Sequence, residues 1–497
     1  MSRSRPRRPS LAAVVAAGVV LLLTCWALTT PAGGAPDERA HHIKAVAAAR
    51  GDFRGRPSRI VLDPMREREL APRSTRVFTL PAHVIDATFG CGRRHPGRAA
   101  NCLHRGHARG AIDRSTYVAT YPPFLYVPAG VIGRLSTDPI RSMLLERGLF
   151  ALVAAVLLAG AAFALGGRGG HGFALIGLLA AATPMVLFLA ASLNVSGLHI
   201  AATIGLTAAL LAASRRGPVA SATWWLAAAS GAVAVLTRAE GVLWVVLVLA
   251  VYWLMQSVTR DGGGAASRPP VAALAVVGGA VVAVGAWQVT AGEGPGFGLS
   301  GAGGAVRDIA PHMAKLAQQL PGVFGWLDTP LPYAAYYGWY VGLVLLVGVA
   351  AFFATARQRV AMLVGLPVAA VAAVVFQSLL LGPEPLTGQL IQTRYVMPAL
   401  LLVPLVAGEV LDRRFPRPSR WVLWPAVTGL ALFNVGALVV HWRRNAVGVR
   451  GARWFFDAPR WSPPLGWWTW AAVAALAAVV LSAGAALSAD ASEATDR

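Results

Sequence analysis

Long apolar runs separated by short polar connections set the architecture of this chain. A bilayer span needs about 20 consecutive apolar residues in a helix. Runs of that kind, some slightly shorter, lie at 11–30, 148–166, 172–191, 198–213, 221–236, 241–256, 271–290, 337–354, 360–381, 395–411, 421–440 and 467–488. They predict an all-α integral membrane protein with about 12 transmembrane helices. The two runs within 221–256 are each short, and Arg238 and Glu240 sit between them. One long polar segment, 31–146, interrupts the pattern. The chain thus divides into a basic N-terminus (1–10), a first span (11–30), that polar segment, a multi-spanning bundle (147–488) and a short tail (489–497).

Composition agrees with this reading. Hydrophobic residues make up 56% of the chain, charged residues 13%, and the mean hydropathy is +0.58. A soluble protein carries roughly 25% charged residues. A soluble enzyme, a disordered chain and a disulfide-rich secreted module are excluded. The net charge of +22 does not indicate nucleic acid. All but two of the basic residues, Lys44 and Lys315, are arginine, scattered over many short loops. A nucleic-acid site would gather them on one face. Such loops set topology and touch anionic lipid.

Arg3, Arg5, Arg7 and Arg8 precede the first run, and Arg168, Arg215, Arg216, Arg260, Arg268, Arg357, Arg359, Arg413, Arg414, Arg417 and Arg420 fill loops of the same side. The positive-inside rule then puts both termini in the cytoplasm of a plasma-membrane protein, with 31–146 as a large first extracytoplasmic loop. The Arg-rich outer loop 441–466 is the exception. The first run exceeds the 7–15 residues of a signal-peptide core, so a retained helix is expected rather than a cleaved leader.

Charged residues are rare enough to single out. Pro36-Asp37-Glu38-Arg39-Ala40-His41-His42 follows the first run directly. Asp37 can begin a helix running to Arg50, with Gly51 as its stop. On it Asp37, His41 and Lys44 share one face, and Glu38 and His42 lie beside them. The group could take a proton from a hydroxyl, hold a divalent cation (Mg or Mn) on Asp37 and Glu38, or do both. The carboxylates could equally serve only the helix dipole.

Tyr117–Pro128 (YVATYPPFLYVP) suits an interfacial or re-entrant segment, and Tyr121 could line a groove for sugar or lipid. Trp326 and Asp328 stand together in FGWLDTPLP. Arg394 and Tyr395 stand at the edge of a span, where a guanidinium either meets an anion such as a phosphate or snorkels to the interface. Arg443 and Arg444 open the last outer loop as a further anion site or a solvated basic stretch. Cys91 and Cys102, in an oxidising compartment, suit a disulfide; a metal site with His95 and His104 is the alternative.

Taken in order, PDExxH, YPPFLY, TPMVLFLAASLN, FGWLDTPLP, QTRYVMP, RRNAVGVRG and WSPPLG resemble a family of actinobacterial polytopic membrane proteins catalogued as a domain of unknown function. That family is similar in layout to the GT-C class of lipid-linked glycosyltransferases. The resemblance covers nearly the whole chain, from Leu11 to about Leu487. It implies a GT-C-like fold and an acid in the first outer loop that activates the acceptor or binds metal, the place taken by Asp37 with Glu38. His41 falls on the family's histidine, while Asp328 and Arg394-Tyr395 match later motifs. After Asn194 the family pattern would bring Pro, a small polar residue and soon an acid; here Val195-Ser196-Gly197-Leu198-His199 follows. Lys44 stands where Arg is more usual.

The expected function is a membrane glycosyltransferase moving a sugar from a polyprenyl-phosphate donor to a cell-envelope glycan, lipid or protein on the outer face. Asp37, Glu38 and His41 would be catalytic. Arg394, Tyr395, Arg443 and Arg444 would hold the donor phosphate, and Tyr121, Trp326 and Asp328 would contact substrate. The alternative is a non-enzymatic transporter or flippase of lipid-linked saccharides, which would need charged residues along a path through the bundle.

Overall fold

A computed structural model describes residues 10–57, 75–93, 95–167, 172–215, 217–256, 268–291, 302–381, 391–415 and 417–495. The N-terminal arginines, Arg168, Arg216 and Arg260 lie outside the described residues. All twelve apolar runs fall on helices. Among the described residues, eight helices are long and apolar enough to cross a membrane, or nine if one bent pair counts as a span. That is fewer than the twelve expected. The helices Ser221–Thr237, Gly241–Gln256 and Leu402–Arg414 are each too short for the length of a full span.

Helix α1 (Leu11–Thr29) starts at Ser10, whose hydroxyl accepts the Ala13 N–H at 3.3 Å. The bent pair is Gly172–Ala181 with Pro184–Ala190, broken by 67°. Its break has a local cause. Thr183 precedes a proline and is therefore pushed out of helical geometry, and its hydroxyl caps the new helix at Val186 N. Val195–Ala213 is the central helix, with 94% of its apolar window buried, whereas Val271–Ala291 and Tyr333–Phe353 have 17% buried and face outward. Close packing rests on small residues. A Cβ on Gly177 would lie 2.5 Å from the Pro404 carbonyl oxygen across the helix contact.

Between the first two spans the chain builds a small mixed domain that the apolar pattern does not predict. Helix α2 (Glu38–Ala48) packs on a three-stranded antiparallel sheet of β1 (Arg56–Pro57), β2 (Arg76–Pro81) and β3 (Ala111–Thr116). The register pairs Arg76 with Thr116 and Pro81 with Ala111. Ile43, Val46, Ala47, Phe78, Leu80 and Ile85 form the core between them. Cys91 and Cys102 are joined in a disulfide. That loop meets the end of helix Arg420–Val447, where Val449 N donates to the Pro96 carbonyl at 2.9 Å.

Two buried pairs dock α2 onto the span Pro139–Gly166. Glu38 and Arg147 form a bidentate ion pair at 2.9 and 2.7 Å. His42 Nδ1 lies 2.7 Å from Glu146, and its Nε2 donates to the Val84 carbonyl. At the opposite end of the bundle Arg215 and Arg413 converge on buried Glu409. The closing helix continues from Gly466 to Thr495, so most of the tail is helical.

Candidate active site

Asp37 sits at the N-terminal junction of α2 with a left-handed backbone (φ 66°). Its side chain makes no capping bond. The carboxylate instead turns away from the helix: Oδ1 accepts from the Tyr117 hydroxyl and Oδ2 from Arg394 Nη2. The preceding turn, Pro31 to Pro36, is set by Gly33 (φ 76°), where a Cβ would lie 2.6 Å from Gly90 N. No other residue type fits there.

The next turn of α2 brings in His41. Its Nδ1 is hydrogen-bonded to the Tyr126 hydroxyl at 2.7 Å, the two rings stack, and Tyr121 lies beside them. Arg238, in the connection after Ser221–Thr237, reaches into the same space. It pairs with Glu240 at 2.5 Å, donates to the Ser196 hydroxyl and the Tyr121 hydroxyl, and lies over the rings of Tyr121 and Tyr395. Arg394 also lies against the Tyr395 ring and is 5% exposed. Its Nε and Nη1 are buried and have no hydrogen-bond partner among the described residues. Lys44 holds the aromatic loop in place, donating to the Ala119 and Phe53 carbonyls.

Burial alone would raise the Asp37 carboxyl. The Arg394 charge, the Tyr117 hydroxyl and the other neighbours outweigh it and hold Asp37 at about 2. Burial drives His41 down to about 3; the Asp37 charge opposes this, and Arg394 and Arg238 add to it. At neutral pH the pair is carboxylate and neutral imidazole. His41 is thus stabilising in its neutral form, fully so above about 6.5, its ordinary value, and this contribution is lost as pH falls towards 3. The thermal midpoint of the purified protein should drop as pH is lowered from 6.5 to about 4. His41→Asn should drop less over that interval. Parallel curves for the two proteins would assign the acid sensitivity elsewhere.

The structure separates residues that the sequence groups. Glu38 does not face Asp37: it is fully buried, and besides Arg147 it accepts from Leu193 N and Ala35 N. The paired-carboxylate cation site is therefore not formed, and among the described residues no cluster of three or more His, Cys, Asp or Glu could hold a metal. Trp326, Asp328 and Arg444 form a second cluster. Arg444 donates to Asp328 at 3.0 Å and to the Gly92 carbonyl, and Trp326 donates to the Gly33 carbonyl. Arg443 folds back on the Gly451 and Ala452 carbonyls. Asp37, His41, Tyr121, Arg394 and Tyr395 do come together.

Residues 20–403 match a family described as "Predicted membrane protein (DUF2142)". The chain belongs to that family. The matched range contains every residue of the Asp37 cluster and excludes Arg443 and Arg444. No curated protein matches. Among solved structures, the apo-state crystal structure of ArnT from Cupriavidus metallidurans is similar at 15% identity and a TM-score of 0.41, over 95% of this chain and 76% of that one.

Within this DUF2142 chain, Ser196 and Arg238 are site residues to which the motifs assign no role, and Tyr117 and Tyr126 join Tyr121 from the aromatic segment Tyr117–Pro128. Arg238 and Glu240 carried a signal. Two charges between short apolar runs are costly unless they meet partners.

Proposed function

We propose that this protein is a GT-C-type membrane glycosyltransferase that moves a sugar from a polyprenyl-phosphate donor to a cell-envelope acceptor at the outer face. One observation carries the reading. Buried Arg394 has two nitrogens, Nε and Nη1, with no hydrogen-bond partner among the described residues, beside the Asp37 carboxylate and the Tyr117 and Tyr395 hydroxyls. A guanidinium in that state is built for an oxyanion, and the aromatic faces suit sugar rings or isoprene units. The order of the motifs along the chain, similar in layout to GT-C enzymes, supports the same reaction.

In this reading the donor phosphate lies on Arg394, with Arg238, also against the Tyr395 ring, adding positive field. The acceptor hydroxyl oxygen attacks the anomeric carbon. The bond from that carbon to the phosphate oxygen breaks, and polyprenyl phosphate leaves with the electron pair. The acceptor proton passes to Asp37, and the single displacement inverts the anomeric centre. His41 remains neutral and positions Tyr126.

The test is transfer of radiolabel from polyprenyl-phosphate sugars to a cell-envelope extract, using full-length protein in nanodiscs. Arg394→Ala should raise the donor KM by ~10- to 100-fold, the weight of a charge-assisted contact of about 1.5–3 kcal/mol. Arg238→Ala should raise it less. Donor binding without transfer by the wild type would replace this reading with that of a flippase.

A further inference from the structure

Asp37 is held at φ 66°, a region that residues other than glycine rarely keep unless their surroundings fix both adjoining peptides. The peptide on its C-terminal side is fixed by α2, since the Asp37 carbonyl accepts from His41 N at 3.1 Å. The peptide on its N-terminal side carries the Pro36 carbonyl. Pro36 is buried, and this carbonyl accepts from Asn194 Nδ2 at 3.0 Å. Asn194 is itself 1% exposed, and its Oδ1 accepts from Ser196 N at 2.9 Å as the cap of the central helix Val195–Ala213. One residue earlier, Leu193 N donates to Glu38. The turn at the head of the central helix thus grips the chain on either side of Asp37 and leaves the carboxylate to Tyr117 and Arg394.

From this grip we infer that Asn194 is a positioning residue for the proton-accepting carboxylate: by holding the Pro36 carbonyl it keeps Asp37 left-handed and its side chain aimed at Arg394. The inference rests on the glycosyltransferase reading and deepens it by assigning the residue that aims its base. The physical reason lies in the buried carbonyl. Without the Asn194 amide, the Pro36 oxygen is left in a buried position without its donor, and the peptide turns to find another. A turned peptide carries the Asp37 nitrogen with it and tilts the Cα–Cβ bond, while the backbone relaxes to the negative φ that L residues favour. The carboxylate then loses its alignment with Arg394 and Tyr117. Those two partners hold it at about 2 against the effect of burial, so its proton affinity rises when they are lost. Ser196, in the same segment, accepts from Arg238 at 3.1 Å, so the head of the central helix sets the base against the second cation of the site.

The test uses Asn194→Ser in full-length protein in nanodiscs. Serine caps a helix as well as asparagine does, so the central helix keeps its start, but serine lacks the amide arm that reaches Pro36. A hydrophobic carbodiimide attacks protonated carboxyls, and its modification of Asp37 at about pH 6 is followed by mass spectrometry. The rate should rise ~10-fold over wild type, equal to a gain of about one pH unit in proton affinity. Glu38 is the internal control, because general unfolding would expose and modify it as well, whereas a released Asp37 is modified alone. Asn194→Asp, which keeps shape and cap but turns an oxygen towards the Pro36 carbonyl, should behave in the same way and guards against a serine variant that fails to fold. An unchanged Asp37 rate, or Asp37 and Glu38 rising together in both variants, overturns the inference. In sugar transfer both variants should lower kcat ~10-fold without raising the donor KM. A raised KM at unchanged kcat would put Asn194 to work on the donor and also overturns it. Absence of transfer by the wild type overturns the glycosyltransferase reading, and the carbodiimide rates then still decide whether Asn194 aims Asp37.

Discussion

Asp37→Asn should lower the transfer rate by ~10²- to 10⁴-fold, the usual contribution of a positioned proton acceptor, while the protein stays folded and binds donor. The reasoning is geometric. Asn has the same size, accepts the φ of 66° at this junction, and can offer its oxygen to Arg394 and its amide to Tyr117. What it lacks is the ability to take a proton. Single-turnover transfer at saturating donor isolates this step from binding. Activity close to wild type would mean that Asp37 only holds Arg394 and that the acceptor proton goes elsewhere. His41→Asn makes the contrast. With His41 held at about 3, its imidazole is neutral and hydrogen-bonded to Tyr126, so its replacement should disturb the aromatic wall without removing the base.

Asp37 and Arg394 were each conspicuous in the sequence for the same reason: a charge in an apolar chain is expensive and must be accounted for. Their pairing was not legible, because 357 residues separate them and nothing in local periodicity says which loops meet over a bundle. Helix α2 was expected from Asp37 to Arg50 and is found at Glu38–Ala48, with Gly51 at φ 82° behind it. Its facing was read from spacing alone. Spacing cannot tell that Asp37 turns off the helix while Glu38 turns into the span. The strands leave little signal in the apolar pattern because β2 and β3 are short and interspersed with Arg, Asp and Thr, and one face is covered by a single helix. The second span also starts earlier than its apolar run. The apolar run begins at 148, but the helix begins at Pro139, capped by the Asp138 side chain on Arg141 N. Asp followed by Pro is a helix-start signal in its own right. That start puts Glu146 and Arg147 on a helix facing α2 rather than at a loop edge.

That helix start matters most for Glu38, whose loss should unfold the domain built by α2 and the three-stranded sheet rather than stop chemistry. Arg147 donates all five of its N–H directions: two to Glu38, and the others to the Ala27, Thr30 and Pro31 carbonyls. Those carbonyls lie at the C-terminal end of α1 and just beyond it, where no further helical turn satisfies them. Glu38 in turn accepts from Leu193 N, in the turn before Val195–Ala213. One ion pair thus joins α1, α2, the second span and the central helix, with side chains 1% and 0% exposed. Removing one member leaves a buried charge without its counter-ion, which costs about 3–5 kcal/mol. Glu38→Ala and Arg147→Ala should therefore both lose folded protein in detergent, read as a collapse of the monodisperse peak and of the thermal midpoint. Arg147→Lys should not rescue, since one ammonium has three donors and no planar fork. Folded but inactive Glu38→Ala would return Glu38 to the catalytic group. The expected pairing is the reverse: Asp37→Asn folded and inactive, Glu38→Ala unfolded.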